Sequence, residues 1–165
     1  MIKFKKFILL FILLLSINLY PDNLINKYYK FIKKYNPQIK EKEIYNILHI
    51  SYLIAKKFDI DIDIILAIMK VESNFRNIKA KKENSYGYMQ VSKKTANWLV
   101  RSRKIEKFLL DPVYNILIGC EHLKNLKNKY GNIWEAVRRY NGSGKQSFKY
   151  LHKVLKYYNE LKNQN

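Results

Sequence analysis

Cysteine occurs once in these 165 residues, at Cys120, so no intramolecular disulfide can staple the fold, and cysteine usage says little about compartment. Cys120 lies on an apolar helical stripe, where a free thiol behaves as a small hydrophobe. Glycine and proline are scarce too, with five and three copies, which leaves little room for long loops. Alternating, strand-like runs are rare. Apolar residues instead return at three- and four-residue spacing almost throughout, so the chain reads as mainly α. Acids are the other deficit: 13 Asp and Glu face 32 Lys and Arg, a formal charge of +19. A chain this basic suits an acidic polymer, whether nucleic acid, anionic lipid or an anionic cell wall, and the sign alone does not choose among them. Part of the Lys, Asn and Ile excess is also what a biased base composition would leave. What is present suffices for a core: 48% hydrophobic and 15% aromatic residues support one domain plus an N-terminal targeting segment.

Lys3, Lys5 and Lys6 precede an apolar run from Phe7 to Leu15 that continues through Ser16 to Leu19, a signal-sequence pattern short for a spanning helix. No small-x-small cleavage site precedes Pro21, and no Cys is near to carry a lipid. Residues 1–20 are therefore expected to be a signal peptide or an uncleaved N-terminal anchor, with export to the periplasm or cell envelope and an opening for membrane association. Without those three lysines the charge falls from +19 to +16, still strongly basic.

Residues 21–40 are expected to form an N-terminal helical arm, with Leu24, Ile25, Tyr28, Phe31 and Ile32 on one side and Asn36-Pro37 as the stop. From Glu41 to Phe58, the stripe Ile44, Ile47, Leu48, Ser51, Ile54, Ala55, Phe58 keeps a helical period. Asp61 reads as the N-cap of the next helix, and Asp63 sits in its first turn. Ser92 is placed to cap a helix to about Arg101 with Trp98 and Leu99 offered to the core. Asp111-Pro112 starts a helix through Val113, Ile116, Leu117, Cys120, Leu123 and Tyr130, which Gly131 ends. Asn132 and Glu135 form a capping pair for a helix carrying Ile133, Ala136, Val137 and Tyr140. After the loop Asn141-Gly142-Ser143-Gly144, a last helix from about Gln146 to Leu161 is expected to bury Phe148, Leu151, Leu155 and Tyr158.

One acid is out of place. Ile65, Met69 and Glu72 stand at i, i+4 and i+7, so Glu72 continues an apolar stripe and should point inward. A carboxyl group that loses hydration has its pKa raised toward the range useful for donating a proton at neutral pH. Position alone leaves open a buried Glu held by a cation or by backbone donors. Ser73 follows directly, then Phe75, then Gly87-Tyr88-Met89-Gln90 in a loop where Asn84 and Gly87 can take the left-handed conformation.

This stretch resembles the catalytic core of the soluble lytic murein transglycosylase (SLT) family, whose pattern runs Glu-Ser, a Phe two residues after the Ser, then Gly-Leu-Met-Gln. Asp111-Pro112 with Asn115-Ile116 and Gly119, Tyr140-Asn141 before a Gly-rich loop, and Tyr150 in a Tyr-Leu-x-x-Val-Leu context are similar to its later motifs, in order. The resemblance covers about Glu41 to Leu161. It implies a single lysozyme-like domain over 41–162, mainly α, of about six to eight helices with room for a minor β-hairpin. It also implies cleavage of the MurNAc–GlcNAc β-1,4 bond of peptidoglycan with formation of 1,6-anhydro-MurNAc, with Glu72 alone as acid and base. Ser73, Gln90 and Tyr140 would position the sugar or tune Glu72, Met89 and Asn141 would shape the cleft, and Tyr86, Tyr88 and Tyr150 would stack on sugar faces. The chain departs from the pattern where Tyr88 replaces Leu, where Arg139 replaces Ala, and in a loop after Asn141 that is one residue shorter. Lys81 falls where many members carry a Ser that contacts the acid, and a cation there would weaken Glu72 as a proton donor.

A two-carboxylate glycosidase needs a second acid across the scissile bond. Glu83, Glu106, Asp111, Glu121 and Glu135 mostly read as caps or surface charges. Cys120 and His122, two apart on a predicted helix, face different ways, and His49 and His152 are remote in sequence, so no metal or other cofactor is expected. A nucleophile elbow is missing. Nucleic acid is disfavoured by the export signal and by Glu72 on its apolar stripe. A lysozyme-type hydrolase on the same fold and a catalytically silent wall-binding protein remain alternatives. The expected partner is the peptidoglycan glycan strand, bound by a monomer.

Overall fold

The computed structural model describes residues 22–80, 84–101 and 105–163. The expected signal or anchor segment and Lys81 lie outside the described residues. Seven α-helices are described: α1 (Asp22–Tyr35), α2 (Glu41–Phe58), α3 (Ile62–Ser73), α4 (Lys93–Val100), α5 (Pro112–Tyr130), α6 (Ile133–Tyr140) and α7 (Lys145–Lys162), with a single 3₁₀ turn at Ile105–Phe108. A small antiparallel sheet of three two-residue strands, β1 (Lys79–Ala80), β2 (Ser85–Tyr86) and β3 (Val91–Ser92), lies between α3 and α4. The fold is thus mainly α and lysozyme-like, and the minor hairpin is a three-stranded meander. Among the described residues, no helix is long and apolar enough to cross a membrane.

The core is organised on α3. Ile64 through Met69 are all buried, so this helix has no solvated side over nearly two turns. At about 1.5–3 kcal/mol per fully buried large aliphatic side chain, that run makes α3 a major source of stability. It packs between α7 and α2, while α5 lies across α2 and α6. Local chemistry sets the helix ends: Asp61 accepts from the Asp63 N–H at 2.9 Å, and Ser92 from Thr95 at 3.0 Å. Asp111 likewise accepts from Val113 at 2.9 Å, and Asn132 from Glu135 at 2.8 Å. Gly131 closes α5 at φ 86°. The Glu135 carboxylate does not return the cap; it turns instead to Arg138 and Arg139.

Helix α1 lies against the core rather than away from it. Phe31 meets Phe75 edge to face at 6.0 Å, and Tyr35 meets Tyr157 at 5.2 Å while its hydroxyl donates to Glu160 at 2.6 Å.

Two expected faces differ from the structure. Trp98 is not in the core; it is 65% exposed, because α4 turns Ala96 and Leu99 inward. On α7 the buried line is Ser147, Tyr150, Val154 and Leu161, a rotation away from the expected Phe148, Leu151, Leu155 and Tyr158. Polar partners decide that setting. The Ser147 hydroxyl receives a hydrogen bond from Arg138 at 2.8 Å, and Tyr150 reaches Glu72, which leaves Phe148 outside beneath the Arg138 guanidinium at 4.5 Å.

Candidate active site

Glu72 occupies the last turn of α3, where the stripe begun by Ile65 and Met69 runs out of the core, and it is half-buried. The buried Tyr150 hydroxyl donates to Glu72 Oε1 at 2.7 Å from α7. Tyr140, at the end of α6, donates to the Met89 carbonyl at 3.0 Å. Burial, and behind it the negative charge of Glu72, pushes both phenols well above their usual range. They therefore stay protonated, and remain donors, at any pH where the protein works.

The chain leaves α3 through two consecutive left-handed residues, Asn74 at φ 52° and Phe75 at 56°. The strained exit is held by Ser73, whose buried hydroxyl donates to the Tyr88 carbonyl at 2.8 Å and accepts from the Arg76 N–H at 3.3 Å. Ser73 thus ties the end of the Glu72 helix to the turn that faces it.

That turn, residues 87–90, connects β2 to β3, and its ends are fixed by the pairing of Tyr86 with Val91. Asn84 (φ 51°) and Gly87 (φ 74°) take the left-handed conformation the sequence allowed them, and so does Gln90 at 45°. Asn115, fully buried on α5, supports the turn from beneath. Its Oδ1 accepts from the Met89 N–H at 2.9 Å, and its Nδ2 donates to the carbonyls of Tyr86 at 2.7 Å and Leu109 at 3.0 Å. A methyl group on Gly87 would stand 2.3 Å from the Asn115 amide carbon, and one on Gly119 would stand 2.6 Å from Met89 Sδ and 3.0 Å from the Tyr140 hydroxyl. Both glycines are there for close approach.

Gln90 spends its side chain within the turn, with Nε2 donating to the Gly87 carbonyl at 2.7 Å and Oε1 accepting from Ser85 at 2.9 Å. Met89 is fully buried, 4.0 Å from Cys120 sulfur to sulfur. Asn141 is exposed just past Tyr140, as the C-cap of α6. The expectation that Tyr86, Tyr88 and Tyr150 stack on sugars does not survive their burial, at 2%, 1% and 4% exposure. Tyr86 instead donates to Glu106, which Lys93 also holds at 2.5 Å, and these partners pull the Glu106 carboxyl down to about 2. Arg139 lies with its Nε 2.8 Å from Glu135 and its guanidinium over Tyr130 at 5.1 Å, so its charge is answered on its own helix and the neighbouring one.

Sequence reasoning did not assign Asn115, Gly119 or Glu43 to the site. The first two lay in a motif read only as a helix signature. Glu43, in the first turn of α2, accepts from the Tyr88 hydroxyl at 2.5 Å.

The transglycosylase SLT domain profile matches residues 51–163, more than half of the chain. The chain belongs to the SLT family. A relative from Photorhabdus laumondii named membrane-bound lytic murein transglycosylase C is 31% identical over 121 residues, covering 70% of this chain and 29% of its own length. One of the same name from Yersinia enterocolitica is 32% identical over 110 residues, covering 62% of this chain and 31% of its own length. The chain thus spans about a third of the length of the curated relatives it matches.

Against the SLT pattern, Glu43 explains how Tyr88 is accommodated where Leu is usual: the added hydroxyl has found a carboxylate. Glu43→Ala leaves that buried hydroxyl unpaired, at a cost of about 1–3 kcal/mol. Restoring leucine at position 88 should remove most of the penalty. A double-mutant cycle by denaturant melts on Glu43→Ala, Tyr88→Leu and the pair is expected to show a coupling of about 1 kcal/mol or more; strictly additive effects would show the contact to be idle.

Proposed function

We propose that this SLT domain is a peptidoglycan lytic transglycosylase of the cell envelope, exported by its N-terminal segment, with Glu72 as both acid and base. The observation that carries the reading is the half-buried Glu72 carboxyl, hydrogen-bonded by Tyr150 at 2.7 Å, at the end of a helix that Ser73 ties to the turn Asn115 supports. With Tyr150 donating to Oε1, the proton to be transferred is carried on Oε2.

Glu72 gives that proton to the glycosidic oxygen as the C1–O bond breaks, while the substrate's N-acetyl oxygen closes onto C1 and stabilises the developing positive charge. The Glu72 carboxylate then takes the proton of the 6-hydroxyl as O6 bonds to C1 and the N-acetyl group leaves. The acid is regenerated, no water is consumed, and the product ends in a 1,6-anhydro ring. Among the acids weighed as a second carboxylate, Asp111 caps α5, Glu106 is held by Lys93 and Tyr86, and Glu135 is held by two arginines. That occupancy supports a one-carboxylate route over a water-activating pair. In this reading Ser73, Tyr88, Met89 and Gln90 act by holding the turn, Tyr150 holds Glu72 directly, Tyr140 braces the turn through the Met89 carbonyl within reach of the Glu72 charge, and Asn141 meets the sugar.

The reaction is read from its products. Muropeptides released from purified sacculi are expected to carry 1,6-anhydro-muramic ends by mass analysis, lighter than the hydrolytic product by the one water that is not added. Reducing ends as the main product would assign the hydrolase instead.

A further inference from the structure

Helix α4 is anchored on its inner side by Ala96 and Leu99 and N-capped by Ser92, so its outer side is a rigid face. On that face Lys94 and Trp98 stand one turn apart at i and i+4, and Arg101 follows as the left-handed C-cap at φ 51°. The chain has two tryptophans, and they are treated differently. Trp134 packs edge-on against Tyr158 at 4.9 Å, whereas Trp98 is 65% exposed. The cations of this region divide in the same way. Lys79 and Lys93 are paired with Glu106 at 3.4 and 2.5 Å, but among the described residues no acid pairs with Lys94 or Arg101, and both are exposed. An uncovered indole between two uncompensated cations is a recognition surface in search of a ligand with a flat apolar face and nearby anions.

Resting on the wall-lytic reading, we propose that this face of α4 is a second, non-catalytic site for peptidoglycan strands. The Trp98 indole stacks on the C–H face of a pyranose ring, and Lys94 and Arg101 meet carboxylates of the stem peptides. The glycan strand fits better than a bilayer, because Trp98 is the large apolar side chain on the face that carries Lys94, with Leu99 turned inward, and an interfacial helix needs a continuous apolar face to insert. Val100, also exposed, is two residues on and so points the other way round the helix. Such a site would hold the enzyme on an insoluble polymer between cleavages, and it makes use of a charge of +19 that the reaction itself does not need.

The test uses the whole chain carrying Glu72→Gln, so that the polymer is not consumed, co-sedimented with purified sacculi with and without Trp98→Ala. Loss of the indole is expected to weaken binding about tenfold, the effect of removing a central aromatic anchor. Trp98→Phe should keep part of it, and Lys94→Glu with Arg101→Glu should weaken binding most at low salt. In the chain with Glu72 intact, Trp98→Ala should leave turnover of a short soluble glycan unchanged. Sacculus binding unaffected by Trp98→Ala would overturn the site. So would a Trp98-dependent interaction seen only with phosphatidylglycerol vesicles or with a single-stranded oligonucleotide. The two readings fail separately: a chain that binds sacculi through Trp98 yet releases no cleavage product keeps this surface and loses the catalytic assignment, and lysis with Trp98-independent binding does the reverse.

Discussion

Glu72→Gln is expected to lower glycan cleavage by at least ~10²-fold, the usual contribution of general acid-base catalysis, while the protein keeps its fold. The substitution preserves shape, and the side-chain carbonyl oxygen of the amide can still accept from Tyr150, whose hydroxyl now meets Glu72 Oε1 at 2.7 Å. On the proposed route, what is lost is the transferable proton and, after the first step, the base that deprotonates the 6-hydroxyl. In the proposed reaction one group serves both halves, so no second carboxylate would cover for it. Release of muropeptides from sacculi gives the rate, and circular dichroism with a thermal melt checks the fold. A well-folded Glu72→Gln variant that clears the wall at the parental rate would remove Glu72 from the mechanism.

Asn115→Ala should be the most damaging substitution outside Glu72, and its damage should be to stability first. The amide is fully buried and serves three backbone groups, the Met89 N–H and the carbonyls of Tyr86 and Leu109. At about 1–3 kcal/mol for a buried group left unpaired, and with carbonyls able to keep a second partner, a loss of roughly 3–5 kcal/mol is expected from the three together, a large share of a domain's total. The midpoint of thermal unfolding should fall by roughly 10–20 °C. Asn115→Asp, nearly identical in shape, should do no better, since it sets a carboxylate against two carbonyl oxygens. A melting temperature within a few degrees of the parent for either variant would mean that the 87–90 turn holds itself.

Much of this chain is decided within a few residues and could be read without its fold. Asp61, Ser92, Asp111 and Asn132 cap helices where the sequence places them, and Gly131 stops α5, because a cap joins a side chain to a backbone group two to four residues away. The stripe on α2 is legible for the same reason, as is the place of Glu72 at the end of an apolar row. The family was legible as well, since its motifs are themselves short local patterns.

What the sequence could not settle are contacts between distant residues. Periodicity puts Tyr150 and Phe148 on neighbouring lines of one helix, but which of them faces inward depends on Glu72, 78 residues away, and on Arg138 beside Ser147. Tyr88 reads as a sugar platform until Glu43, 45 residues earlier, is found to hold its hydroxyl. Trp98 reads as core until the packing of α4 leaves it outside. The sequence by itself determined the helices, most of their ends and the position of the candidate acid. Only the tertiary structure decided which polar groups that acid and its turn would meet, because a buried hydrogen bond between distant residues can outweigh the small preference of one helix face over the next.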